Sequence, residues 1–238
     1  MIGLREMPLY PVTPFIGFSD PVSSFLHLIA AAVCLWFGVK LLYNFKGSIG
    51  SRISLGVFVF GTIFMFSMSG VYHLLDQGGT PRYVMQHLDH AAIWIMIAGT
   101  FTPIHVILFT GWRRWGVLAV VWTAAITGLV LKTIFFDEFP EWLGLIFYLA
   151  LGWIGVFSGI MLSKQEEWHD VRLIGFGGIA YSFGAVFEFF QPPFFIQGVI
   201  GPHEIFHIAI IIGAYYHWTF IEQHADVKLN SIPLNENE

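Results

Sequence analysis

Seven apolar stretches punctuate the chain, with polar residues gathered between them rather than alternating within them. A helix that crosses a bilayer needs roughly 20 predominantly apolar residues. The stretches near Val22–Tyr43, Ile53–Leu75, Leu88–Phe109, Trp115–Thr133, Trp142–Leu162, Val171–Phe190 and Pro202–Ile221 all reach that range. Runs such as Leu145–Leu151 lack the polar–apolar alternation of a membrane β-barrel. Helices satisfy their own backbone hydrogen bonds in lipid. The pattern therefore predicts an all-α integral membrane protein, a seven-transmembrane-helix bundle over residues 22–221. Residues 1–21 carry Pro8, Pro11, Pro14 and Pro21 and read as an irregular leader. Residues 222–238 read as a polar C-terminal tail. No convincing cleavage site precedes the first apolar stretch, which is expected to stay as a span.

Composition supports the same class. The chain is 56% hydrophobic and 11% charged, whereas soluble domains carry about 25% charged residues to cover their exterior. The formal charge of −5 is scattered, and no basic stripe suggests a nucleic-acid partner. Cys34 is the only cysteine and lies in an apolar run, which excludes an internal disulfide and suggests an inert thiol. Trp112, Trp115, Trp142 and Trp168 fall at span ends, where interfacial aromatics concentrate. Gly175, Gly177, Gly178 and Gly184 offer close helix contact within the sixth span.

Seven spans put alternate connections on opposite sides. The N-terminal side, side A, carries Arg5, Arg82 and Lys132. Side B carries Lys40, Lys46, Arg52, Arg113, Arg114, Lys164, Arg172 and Lys228. An excess of Lys and Arg marks the cytoplasmic side. The expected topology is N-terminus outside and C-terminus inside, in a bacterial cytoplasmic membrane.

Polar residues inside a membrane are costly and are functional candidates by default. His73 closes the second span, Asp89 opens the third, and His203 and His207 open the seventh, so parity places all four at one depth near side A. His203 and His207 differ by about 40° of rotation and about 6 Å of rise, which sends both imidazoles from one helix face. With His73 they form a candidate three-histidine zinc site, leaving the open position that catalytic zinc keeps for water. Asp89 is the candidate group for that water's proton, and Ser69, four residues before His73, a candidate hydrogen-bonding partner.

Histidines at span ends are also common as interfacial residues. Glu204 lies in His203-Glu-Ile-Phe-His207, a match to H-E-x-x-H, and reads either as a general base or as a supporting carboxylate. His27, four after Ser23, and Glu188 at the end of the sixth span are candidates to line the same cavity. His87 and His90 read as interfacial, His105 and His217 as lying towards side B, and His169 and His224 as solvent-exposed. Phe194 and Phe195 read as an interfacial turn.

Ser69-Gly-Val-Tyr-His73, Leu88-Asp89-His90, Ile97-Ala-Gly-Thr-Phe-Thr-Pro103 and His203-Glu-Ile-Phe-His207 together resemble the motifs of the hemolysin III proteins, within the progestin and adiponectin receptor family. The resemblance runs from about Val22 to Ile221 and implies an adiponectin-receptor-like fold. By motif position it implies zinc on His73, His203 and His207, with Asp89 near the metal's water and Ser69 beside it. It also implies hydrolysis of a ceramide-like lipid amide, with membrane lipid as substrate or ligand. Adiponectin receptors hold their N-terminus and zinc in the cytoplasmic half, opposite to the orientation that the charge count favours here. Three other readings compete: a non-catalytic membrane sensor or homeostasis protein with structural zinc, an intramembrane metalloprotease, and a cytolysin in the literal sense of the family name. No amphipathic pore-forming segment supports the last.

Overall fold

The computed structural model describes residues 13–164, 168–193 and 195–225, with the side chains of 168–170 left aside. Arg5, Pro8, Pro11, Lys228 and Phe194, and the side chains of Trp168 and His169, therefore lie outside the described residues. Seven helices follow in order: α1 (Pro21–Asn44), α2 (Ile49–Leu74), α3 (Thr80–Leu108), α4 (Gly111–Ile134), α5 (Glu141–Leu162), α6 (Trp168–Phe190) and α7 (Pro202–Ala225). All seven are long and apolar enough to cross a membrane. Their starts follow ordinary helix chemistry. Proline opens α1, where its missing N–H costs nothing. The Ser48 hydroxyl accepts from the Ser51 N–H and caps α2.

The largest departure from the apolar pattern is at α3, which starts at Thr80 rather than near Leu88. The added turns are amphipathic. Arg82 and Gln86 turn inward while Val84 and Leu88 stay exposed. Arg82 donates to the Leu75 carbonyl at 2.6 Å and pairs with the Asp20 carboxylate. A buried ion pair satisfies these turns where apolar packing would otherwise be required, so hydropathy overlooks them. Asp89 consequently lies in the third turn of α3 and not at its mouth.

A second correction concerns His224, which is buried rather than solvent-exposed. Helix α7 continues four residues past Ile221. The His224 ring stacks on Phe220 at 4.2 Å and donates from Nδ1 to the Phe220 carbonyl at 2.8 Å.

Helix α2 packs between α1 and α3, α6 packs on α7, and α7 touches α1 and α3. The α2–α3 contact rests on two glycines. A Cβ at Gly61 would sit 3.1 Å from the Ile95 carbonyl oxygen, and one at Gly99 3.3 Å from that of Val57. Glycine lets the two backbones approach this closely without displacing either. In α6, Gly177 and Gly184 meet α7 side chains, whereas Gly175 and Gly178 face open space.

Helices α3 and α5 are bridged at two levels. Tyr148 donates to the His90 carbonyl at 3.1 Å near side A, and His105 Nε2 bonds the Ser158 hydroxyl at 2.9 Å near side B. Tyr148 and Ser158 both line an apolar cavity of about 460 Å³ walled by α3, α5, α6 and α7, with Met65 of α2. Trp112, Trp115 and Trp142 are exposed at helix ends, as interfacial aromatics are.

Candidate metal centre

The structure brings His73, His203 and His207 together. One ring nitrogen from each falls within 4.8 Å of the others. His203 Nε2 lies 3.2 Å from His73 Nε2 and 3.0 Å from His207 Nε2. His73 comes from the last turn of α2, and the pair comes from the first two turns of α7.

Outer partners orient two of the rings. His73 Nδ1 lies 2.9 Å from Asp20 Oδ2, and His203 Nδ1 lies 3.1 Å from Glu188 Oε2. A carboxylate only accepts, so each Nδ1 is the donor and each Nε2 presents its lone pair inward. Bare lone pairs facing each other across 3 Å repel. A shared cation removes the repulsion, and a tetrahedral centre with Zn–N bonds of 2.0–2.1 Å would space its nitrogens by about 3.3 Å. Three imidazole nitrogen donors, two of them with a carboxylate behind the ring, suit zinc. The residues present therefore fit the ion that the sequence suggests.

Asp89 and Ser69 stand beside the triad. The Ser69 side chain stands near the Asp89 carboxylate, and Asp89 and His203 interact electrostatically. His73 and His207 are about 2% exposed, whereas the His203 side chain is 30% exposed and that of Glu188 20%. The centre thus opens at the α6–α7 edge.

Glu204 uses both oxygens away from the triad. It accepts from the Ser23 hydroxyl at 3.1 Å and from the Gly201 N–H at 2.8 Å. The latter is the backward half of a capping box at the start of α7. That arrangement fits a supporting carboxylate and leaves the H-E-x-x-H reading without its base.

His27 is 1% exposed and stacks on His207, with ring centroids 4.0 Å apart. His87 stacks on Phe136 and His90 meets the same ring edge-on. His105 is held near side B by Ser158 and the Arg113 carbonyl, and His217 lies by the Ile174 carbonyl.

Asp20 is the residue that the sequence pattern overlooks. Burial alone would raise its pKa. The hydrogen bonds that His73 and Arg82 donate, with the charge of the Arg82 guanidinium, outweigh that and hold the carboxyl well below the usual carboxylate range. Its one sequence signal is an acid directly before the first span on side A, the side where His73 ends the second.

Comparison with known proteins identifies the family. The chain is 28% identical over 169 residues to hemolysin-3 of Bacillus cereus, covering 71% of this chain and 73% of that one. It is 28% identical over 217 residues to a hemolysin-3 homolog of Bacillus subtilis, covering 90% and 92%. It is 22% identical over 191 residues to the human monocyte to macrophage differentiation factor, covering 76% and 74%. The sequence model described as haemolysin-III related matches residues 17–218. With seven apolar helices and that match over most of its length, the chain is a multi-pass integral membrane protein of the haemolysin-III family, within the progestin and adiponectin receptor family.

Proposed function

We propose that this protein is a zinc-dependent hydrolase of ceramide-like lipid amides. The observation that carries the reading is the convergence of three imidazole Nε2 atoms beside a Ser69–Asp89 pair. His73, His203 and His207 would hold the ion. Zinc in that place supplies Lewis acidity towards a carbonyl and towards water. Asp89 takes the proton of the attacking water and delivers it to the leaving amine as the C–O bond forms and the C–N bond breaks. Ser69 fixes the direction of the Asp89 carboxylate. The apolar cavity, whose lining includes Met65, Ile93 and Phe206, accepts the acyl chain.

The proposed orientation keeps the N-terminus outside, in a bacterial cytoplasmic membrane. Its support is the charge asymmetry, which the fold sharpens. Arg82 and Lys132, the described bases of side A, are buried. Lys40, Lys46, Arg52, Arg113 and Arg172 on side B are exposed.

The decisive experiment is metal analysis and turnover of purified protein with a long-chain N-acyl sphingoid base. The wild type is expected to carry about one zinc per chain and to release fatty acid. His207→Ala is expected to lose both, because a two-histidine remnant lacks the third ligand of a catalytic site. Equal zinc in the two proteins refutes the assignment.

A further inference from the structure

We infer that Asp20 is a positioning residue of the metal centre, and that residues 13–20 form a strap tying together the two helix ends that carry the ligands. This rests on the reading that the histidine triad takes a metal. Asp20 stands at the N-cap of α1, a position where aspartate usually accepts from the helix's first N–H groups. Here the side chain makes no capping bond. Its Oδ2 is given to His73 Nδ1 at 2.9 Å and to Arg82, and its Oδ1 accepts from Gln77 Nε2 at 3.2 Å. A good capping residue has been diverted to hold one imidazole.

The backbone continues the same task. The Asp20 N–H donates to the His73 carbonyl at 2.9 Å, and the Ser19 N–H to the Leu74 carbonyl at 3.2 Å. These are carbonyls of the last turn of α2, which have no partner within the helix. At the other end of the strap, the Thr13 N–H donates to the Gly198 carbonyl at 2.9 Å, four residues before α7 begins. The strap therefore reaches from the entrance of the His203/His207 helix to the exit of the His73 helix. Outer carboxylates that fix a ligand's tautomer and direction typically contribute 10- to 100-fold in metal affinity. Asp20 is buried and held from three sides, whereas Glu188, the other outer carboxylate, is partly exposed at the opening.

The test uses the full-length protein in detergent, loaded with zinc or cobalt, and compares wild type with Asp20→Asn and Asp20→Glu. Three quantities are read: metal affinity by chelator competition, the visible band of the cobalt form, and the rise in melting temperature on metal addition. Asp20→Asn is expected to bind metal 10- to 100-fold more weakly, with a shifted cobalt band and a smaller metal-induced rise. Asp20→Glu keeps a negative charge for Arg82 while displacing the carboxylate, and is expected to fall between the two. If Asp20→Asn does not fold, Asp20→Glu carries the test. Wild-type affinity and spectrum in whichever variant folds overturn the inference, and so does a melting loss of equal size with and without metal. A wild-type protein that takes up no metal overturns the underlying zinc reading and this inference together. A metal-loaded wild type with unaltered Asp20 variants sinks the inference alone.

Discussion

If the acyl chain of the substrate occupies the apolar cavity, filling that cavity from a helix wall must shorten the chain the enzyme accepts. Gly178 suits the experiment. It lines the cavity, and a Cβ built on it meets no atom within 4 Å. Gly178→Leu adds four carbons to the cavity without a backbone clash. Displacing about four substrate methylenes at about 0.8 kcal/mol each costs about 3 kcal/mol of binding. That corresponds to roughly a 200-fold loss in kcat/KM for a long-chain amide. An analogue with a very short acyl chain never reaches the added side chain, so its turnover should stay within about twofold of wild type. Folding is expected to hold or improve, because replacing a mid-helix glycine by leucine favours the helix by about 0.5–1 kcal/mol. Paired assays on long- and short-chain substrates, with a melting curve in detergent, read all three outcomes. Undiminished hydrolysis of the long-chain substrate would falsify the placement of the chain.

Other expectations follow from the same geometry. Asp89→Asn should keep full zinc occupancy while turnover falls about 10²- to 10⁴-fold, the usual contribution of a positioned proton acceptor. Ser69→Ala should do so more mildly, and zinc content measured beside activity separates these from ligand loss. Gly61→Val should lower the melting temperature, since its Cβ would press on the Ile95 carbonyl at 3.1 Å, and overpacking of this kind costs about 1–3 kcal/mol. Gly152→Ala, with open space around it, should not. For topology, single cysteines placed at Glu138 or Lys46 in a Cys34→Ala background can be probed on intact cells with a membrane-impermeant thiol reagent. Only the Glu138 position, on side A, should react, and labelling confined to the Lys46 position would reverse the orientation.

The spans were legible because lipid imposes a length and a composition that a single sequence displays. The depth of the triad was legible because alternating spans leave few ways to arrange His73, His203 and His207. The start of α3 was not, because Arg82 and Gln86 face inward through polar contacts that count against a span in any hydropathy reading. Asp20 escaped for a related reason. Its partners are 53 and 62 residues away, and nothing local distinguishes it from an ordinary helix cap. Glu204 shows the opposite failure. Its motif context suggests a base, while its carboxylate belongs to the start of its own helix and to Ser23. Short motifs specify which residues are adjacent along a helix, and the neighbouring helices decide which way each one is used.

The chain order of the ligands bears on how the protein is made. Asp20, His73 and Arg82 all lie within the segment that ends with α3, so their contacts can form before the later helices enter the membrane. His203 and His207 arrive on α7, the last of the described helices in chain order. A nascent chain that folds from its N-terminus thus builds a half-site of one oriented imidazole and waits for the chelating pair. If the triad takes a metal, its capture becomes a late step of biosynthesis, and a chain stopped before Pro202 would lack two of the three histidines.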